Sequence, residues 1–166
     1  MFCPKCKAEM GKTQADHQYR ECGLDNIWLK NWETYVCPQC KTRLPVLPDP
    51  RILNGLIAHG IVTQEARLDG DAIHFLRKAL ELTSEELAHV LGVHRVEVSR
   101  WENNRVQIDP YQDFKLRLEA VDRIIPASKK RRAREAVTMI LQRDYKKDLA
   151  ATETNIPVSR EDLVPA

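Results

Sequence analysis

Residues 71–104 read DAIHFLRKALELTSEELAHVLGVHRVEVSRWENN, and the fold follows from how this stretch divides. In Asp71–Leu82 the apolar residues Ile73, Leu76 and Leu80 recur at spacings of three and four, which lines them along one helical face. Thr83 stands three residues before Glu86, the spacing of a capping box in which each side chain satisfies a backbone N–H of the other residue. A second helix opens there and turns Leu87, Ala88 and Leu91 inward. Gly92 ends it, because a residue without Cβ takes the left-handed conformation at little cost. Val93 then plugs the core, His94 stands at the next N-cap, and Arg95–Glu102 forms a third helix.

That third helix has two faces. Val98 and Trp101 fall on the side of Val93 and belong to the core, whereas Arg95, Val96, Ser99 and Arg100 project the other way. Two helices joined by a tight glycine turn form the arrangement that lays its second member in the major groove of double-stranded DNA. An arginine fork fits guanine O6 and N7, and each such bidentate pair discriminates by roughly 1–3 kcal/mol. The same pattern also describes a small amphipathic helix with two solvated arginines.

The run LGVHRVEVSRWEN resembles the LGVS-x-x-x-VSRWENG signature of Xre/lambda-repressor-type domains, with Gly92, Val93, Val98, Ser99, Arg100, Trp101, Glu102 and Asn103 at signature positions. The resemblance implies a five-helix DNA-binding fold. It places Arg95, Val96 and Arg100 at base-reading positions and His94 and Ser99 at phosphate or sugar contacts. Two positions depart from the pattern. Asn104 replaces the usual glycine, which asparagine's tolerance of positive φ permits. Val96 stands where relatives often carry a polar side chain; it reaches a thymine methyl but donates no hydrogen bond.

The 166 residues carry a net charge of +2, unevenly spread. Residues 1–50 hold 7 basic and 6 acidic side chains, residues 51–126 hold 10 and 12, and residues 127–148 hold 8 and 3. The acidic balance of the middle argues against strong sequence-independent DNA affinity there, and points to a few placed arginines plus the basic segment behind them. No apolar run approaches the roughly 18 residues of a membrane span, and no signal-like apolar stretch opens the chain. A cytoplasmic protein with no membrane partner is expected. Its five cysteines are then reduced, which favours a metal over disulfides.

Residues 1–43 contain Cys3-Pro4-Lys5-Cys6 and Cys37-Pro38-Gln39-Cys40, two C-x-x-C knuckles 30 residues apart. Together they supply the four thiolates of a closed tetrahedral structural zinc site. So small a segment buries too little apolar surface to fold alone, and the metal supplies the difference. The proline in each knuckle also resembles rubredoxins, so iron is the alternative ion. Paired C-x-x-C motifs further admit thiol redox chemistry. Cys22 fits neither pair and reads as a strand residue; His17 and His59 read as ordinary polar positions. Short strands are expected at Gln18–Cys22 and Ile27–Val36, around a Gly23-Leu24-Asp25-Asn26 turn.

Residues 44–70 read as a linker and a connecting helix: LPVLPDP is proline-rich, and Arg51–Val62 repeats apolar residues at helical spacing. The whole order (knuckles, YRECGLDNIWL, a proline-rich link, then the helical motif) is similar to the MqsA-type (YgiT-type) antitoxins and their regulator relatives, over roughly residues 1–125. That resemblance implies a zinc domain that binds a toxin, an mRNA-cleaving ribonuclease, and a helical domain that dimerises and represses its own operon. Asp109 and Pro110 open a further helix with Tyr111, Phe114, Leu118, Val121 and Ile125 as its seam; the seam either belongs wholly to the core or, as the resemblance implies, is shared between the core and a contact across a molecular dyad.

Residues 127–151 form a basic amphipathic helix, read as a solvated face, a phosphate-contacting arm or a dimerisation helix. Residues 152–166 lack periodicity and are expected to be disordered. The expected fold class is thus mainly α: a five-helix lambda-repressor-like domain at 71–126, preceded by a small zinc-ribbon β domain and followed by a long helix. The expected function is a DNA-binding transcription regulator, a homodimeric repressor with one structural zinc per chain. The alternative is an antitoxin that neutralises a ribonuclease through its zinc domain. No Gly-rich phosphate loop, H-E-x-x-H or nucleophile–base pair suggests an enzyme.

Overall fold

The computed structural model of the chain describes residues 1–142 and 156–159. The chain begins with a loop carrying the first knuckle, then strands β1 (Gly11–Gln18), β2 (Ile27–Val36) and β3 (Arg43–Pro45) form an antiparallel sheet in that order. The first strand is not where composition placed it. Gln18–Cys22 mostly turns back towards β2, and β1 is instead the polar, largely exposed GKTQADHQ. It carries no β-branched stripe because its outer face is solvated, and its strand character comes from pairing with β2.

In β2 the buried residues change phase, from Ile27 and Leu29 to Trp32 and Thr34. A one-residue bulge opposite Asp16 makes the shift. Asn31 takes φ 50°, while the Asp16 carboxylate accepts from its backbone N–H at 3.0 Å and pairs with Lys30 at 2.8 Å. Without that extra residue, half the apolar side chains of β2 would face solvent. Strand β4 (Ile156–Ser159) pairs in parallel with β2 along Ile27–Lys30, the section of that edge that β3 leaves open. This corrects the expectation of disorder for four residues of 152–166: a free half-edge of β2 accepts them as a strand. The rest of that tail, and the extension of the last helix to residue 151, lie outside the described residues.

Six helices follow β3 among the described residues: α1 (Pro50–Thr63), α2 (Gly70–Ala79), α3 (Ser84–Leu91), α4 (Arg95–Glu102), α5 (Pro110–Arg123) and α6 (Ala127–Gln142). Asp49 caps α1 by accepting from Arg51 N–H at 2.8 Å, and Asp109 caps α5 in the same manner. Residues 44–70 are therefore more than a linker. Leu53, Leu56, Ile57, Ala58, Ile61 and Val62 of α1 are buried, in one continuous cluster with Ile27, Leu29 and Trp32 of the sheet and with α2–α6. At Gly55 an added Cβ would stand 2.6 Å from the Ile124 carbonyl oxygen, so α1 crosses the end of α5 at backbone contact.

The seam expected along α5 is rotated. Val121 and Ile125 are buried and Phe114 and Leu118 half-buried, but Tyr111 is 60% exposed. The inward positions are Asp113, Leu116, Arg117 and Ala120. Arg117, fully buried, donates Nε to Asp113 at 2.7 Å and spends its remaining donors on the carbonyls of Val62 (2.9 Å), Gln64 (2.8 Å) and Ala66 (2.6 Å). Asp113 also accepts from Leu68 N–H at 2.9 Å. This pair caps the carboxyl end of α1 and ties the loop behind it to α5, which is why two charged residues displace apolar ones from the seam.

Candidate nucleic-acid interface and metal centre

The helix α4 is built by its caps. The Thr83–Glu86 capping box opens α3, and Gly92 closes it at φ 73°. His94 then begins α4: its Nδ1 accepts from Val96 N–H at 3.3 Å, while Glu97 returns an acceptor to His94 N–H at 3.2 Å. A ring that accepts at Nδ1 carries its proton on Nε2, so Nε2–H is the group left to donate outward. Inside, Val98 and Trp101 are buried, the latter 5% exposed. Outside, His94, Arg95, Ser99 and Arg100 are exposed and Val96 is 47% exposed. The structure thus brings all five sequence-predicted contact residues to one solvent-facing side of α4 and its cap.

The rest of the signature does scaffold work that residue types alone did not reveal. Glu102 accepts from the buried Arg77 at 2.6 and 3.3 Å, and Arg77 also donates to the Leu82 carbonyl at 3.0 Å. One guanidinium therefore locks α4 to α2 and to the turn before α3. Asn104 adopts φ 53°, and its Oδ1 accepts from Gly70 N–H at 2.7 Å, at the start of α2. An added Cβ at Gly70 would stand 2.5 Å from the Glu102 carbonyl, so α2 and the end of α4 meet without room for a side chain. Lys115 of α5 donates to the Leu91 carbonyl, closing the carboxyl end of α3. The only hint of this lattice in the sequence was Asn104, an unexpected residue where a glycine is usual.

In the N-terminal segment, Cys3, Cys6, Cys37 and Cys40 converge with all Sγ atoms within 4.8 Å of one another. Cys3–Cys40 lie at 3.4 Å, Cys6–Cys37 at 3.3 Å and Cys6–Cys40 at 3.6 Å. A tetrahedral centre with metal–sulfur bonds near 2.3 Å has edges of about 3.8 Å, so the donor set fits one ion. The two knuckles share the same pair of backbone hydrogen bonds. Lys7 N–H donates to the Cys3 carbonyl (3.0 Å) and Lys41 N–H to the Cys37 carbonyl (3.1 Å), with φ 63° and 58°. Cys3 N–H donates to Ala8 (2.8 Å) and Cys37 N–H to Thr42 (2.9 Å), closing each turn.

Their electrostatics differ. The Thr42 hydroxyl, 3.1 Å from Cys40 Sγ, and the Thr42 backbone hold that thiol at about 6. The Ala8 amide pulls Cys6 down, but the Cys37 thiol, desolvation and the other thiols outweigh it and push Cys6 up to about 12. A divalent cation bound among thiols takes the place of their protons. Cys22 stands apart: its thiol donates to the Tyr19 carbonyl at 3.5 Å, burial raises it, and it packs on the main core. His17 and His59 belong to no metal-ligating group among the described residues.

A protein-family model described as Helix-turn-helix matches residues 73–111, from α2 to the first residues of α5. No curated protein and no solved structure matches the chain. Among the described residues no helix is long and apolar enough to cross a membrane.

Proposed function

We propose that this chain is a sequence-specific DNA-binding transcription regulator, a repressor whose α4 enters the major groove. The observation that carries the reading is the division of α4: Val98 and Trp101 anchor it inward while Arg95, Val96, Ser99 and Arg100 stand in solvent. Arg95 and Arg100 read guanine edges, and Val96 packs on a thymine methyl. His94 Nε2–H, the Ser99 hydroxyl and the first amides of α4 hold phosphates. Residues 71–126 hold four helices, α2–α5, so the five-helix lambda-repressor-like unit expected there takes in α1 as well. The outer edge of α5, with exposed Tyr111 and half-buried Phe114 and Leu118, forms the dyad contact of a homodimer, setting half-sites about 34 Å apart.

The four cysteines hold one structural zinc ion, which keeps the two knuckles closed and offers no open position for chemistry. Among the described residues none identifies a toxin interface on the ribbon, so the reading rests on α4. The test is selection of bound duplexes from a random pool at stated salt, comparing wild type with Arg95→Ala and Arg100→Ala. Each substitution is expected to relax preference at one base pair, by about 1–3 kcal/mol. Equal weakening on every sequence reassigns that arginine to a phosphate, and failure of wild type to select any sequence ends the regulator reading.

A further inference from the structure

The basic run at the start of α6 lies outside the reading face. Lys129, Lys130, Arg131, Arg132 and Arg134 place five cations in six positions, on a helix held firmly: Ala133, Val137 and Ile140 are buried, and α6 packs on α5 and α1. Lys130 donates to the Asp122 backbone carbonyl at 2.7 Å. Arg131, its side chain 82% exposed, pairs with Glu135 at 3.1 Å, and Arg134 pairs with Asp122, both in solvent. Arg132 is exposed and makes no hydrogen bond or ion pair among the described residues. Solvated pairs of this kind are weak and yield to a stronger anion. The first turn of α6 holds no acidic residue, and cations there oppose the helix dipole.

The helical region that carries α4 lacks what this run supplies. Residues 51–126 hold 10 cations against 12 anions, whereas the sequence-independent component of duplex affinity comes from cations that displace counterions from phosphates. We propose that the first two turns of α6 grip the phosphate backbone of the duplex that α4 reads. This inference rests on the DNA-binding reading of α4.

The experiment is the salt dependence of binding by the full chain, wild type against the combined Lys129→Gln, Lys130→Gln, Arg131→Gln and Arg132→Gln variant. Both the selected duplex and an unrelated one of equal length are used. The slope of log K against log salt is expected to shrink by about 0.9 for each cation that meets a phosphate, on both duplexes. Base preferences stay as they were, and Arg132→Lys keeps the wild-type slope. An unchanged slope in a variant with wild-type circular dichroism and melting overturns the inference and leaves the face to an acidic protein partner. If the combined variant misfolds, Arg132→Gln alone is expected to lose about 0.9 of slope, and no loss there overturns the inference equally. Absence of any binding by wild type at low salt is read on wild type alone; it removes the DNA-binding reading and this inference with it.

Discussion

Asn104 shows how one side chain does the work of two. Its φ of 53° meets the left-handed requirement at the end of α4, and its Oδ1 satisfies an N–H at the start of α2. Glycine meets only the first need and alanine neither. Asn104→Ala is therefore expected to destabilise the fold by about 1–3 kcal/mol in urea unfolding, and Asn104→Gly by less; equal losses would leave only the cap. Glu86 gives a pH-dependent counterpart. The Thr83 backbone amide, then the Thr83 hydroxyl, hold its carboxyl below the ordinary value of 4.5. A depressed folded-state value means stabilisation that is complete above 4.5 and lost as pH falls through the folded value. Wild type should thus exceed Glu86→Gln in stability at neutral pH, and the gap should close as the pH falls below 4.5. A gap of constant size would show that the carboxylate's charge is not involved.

At the scale of elements, α5 shows why apolar spacing alone misplaced a helix face. Tyr111, Phe114, Leu118, Val121 and Ile125 keep a regular helical spacing, yet the inward positions go to Asp113 and Arg117, because the carboxyl end of α1 needs donors that apolar side chains lack. Breaking such a pair leaves a buried charge unanswered. Asp113→Ala and Arg117→Ala are each expected to cost about 3–5 kcal/mol, whereas Asp113→Leu with Arg117→Met together should cost less than either single change. Chemical unfolding of the three variants measures this. Additive losses would mean that the carbonyl caps, rather than the charge pair, dominate.

Across the whole molecule, the sheet and helices share one core while the cysteines hold a small second one. Cys3, Cys37 and Met10, with Tyr35 and Leu44 packed on them, form a cluster separate from that of Ile27, Leu29 and Trp32. Strand β2 runs through both. Chelation of the proposed zinc should therefore release the knuckle end first, seen as lost hydrogen-exchange protection at Cys3–Met10 and Cys37–Thr42. It should also lower the melting temperature of the helical core through β2. A core that melts unchanged after chelation would show two independently folding halves.

The sequence by itself determined the local features: the capping box, the glycine stop, the cysteine knuckles and the two-sided α4. Each depends on residues within a turn or two of one another, where spacing and chirality leave few choices. Tertiary structure alone decided where β1 pairs, that α1 belongs to the core, that Ile156–Ser159 joins β2, and that Arg77, Glu102, Asp113 and Arg117 are scaffold. Those outcomes turn on which distant backbone groups lack a partner. A solvated strand such as β1 and a buried arginine such as Arg117 look in sequence like any polar surface, because the atoms that satisfy them lie tens of residues away.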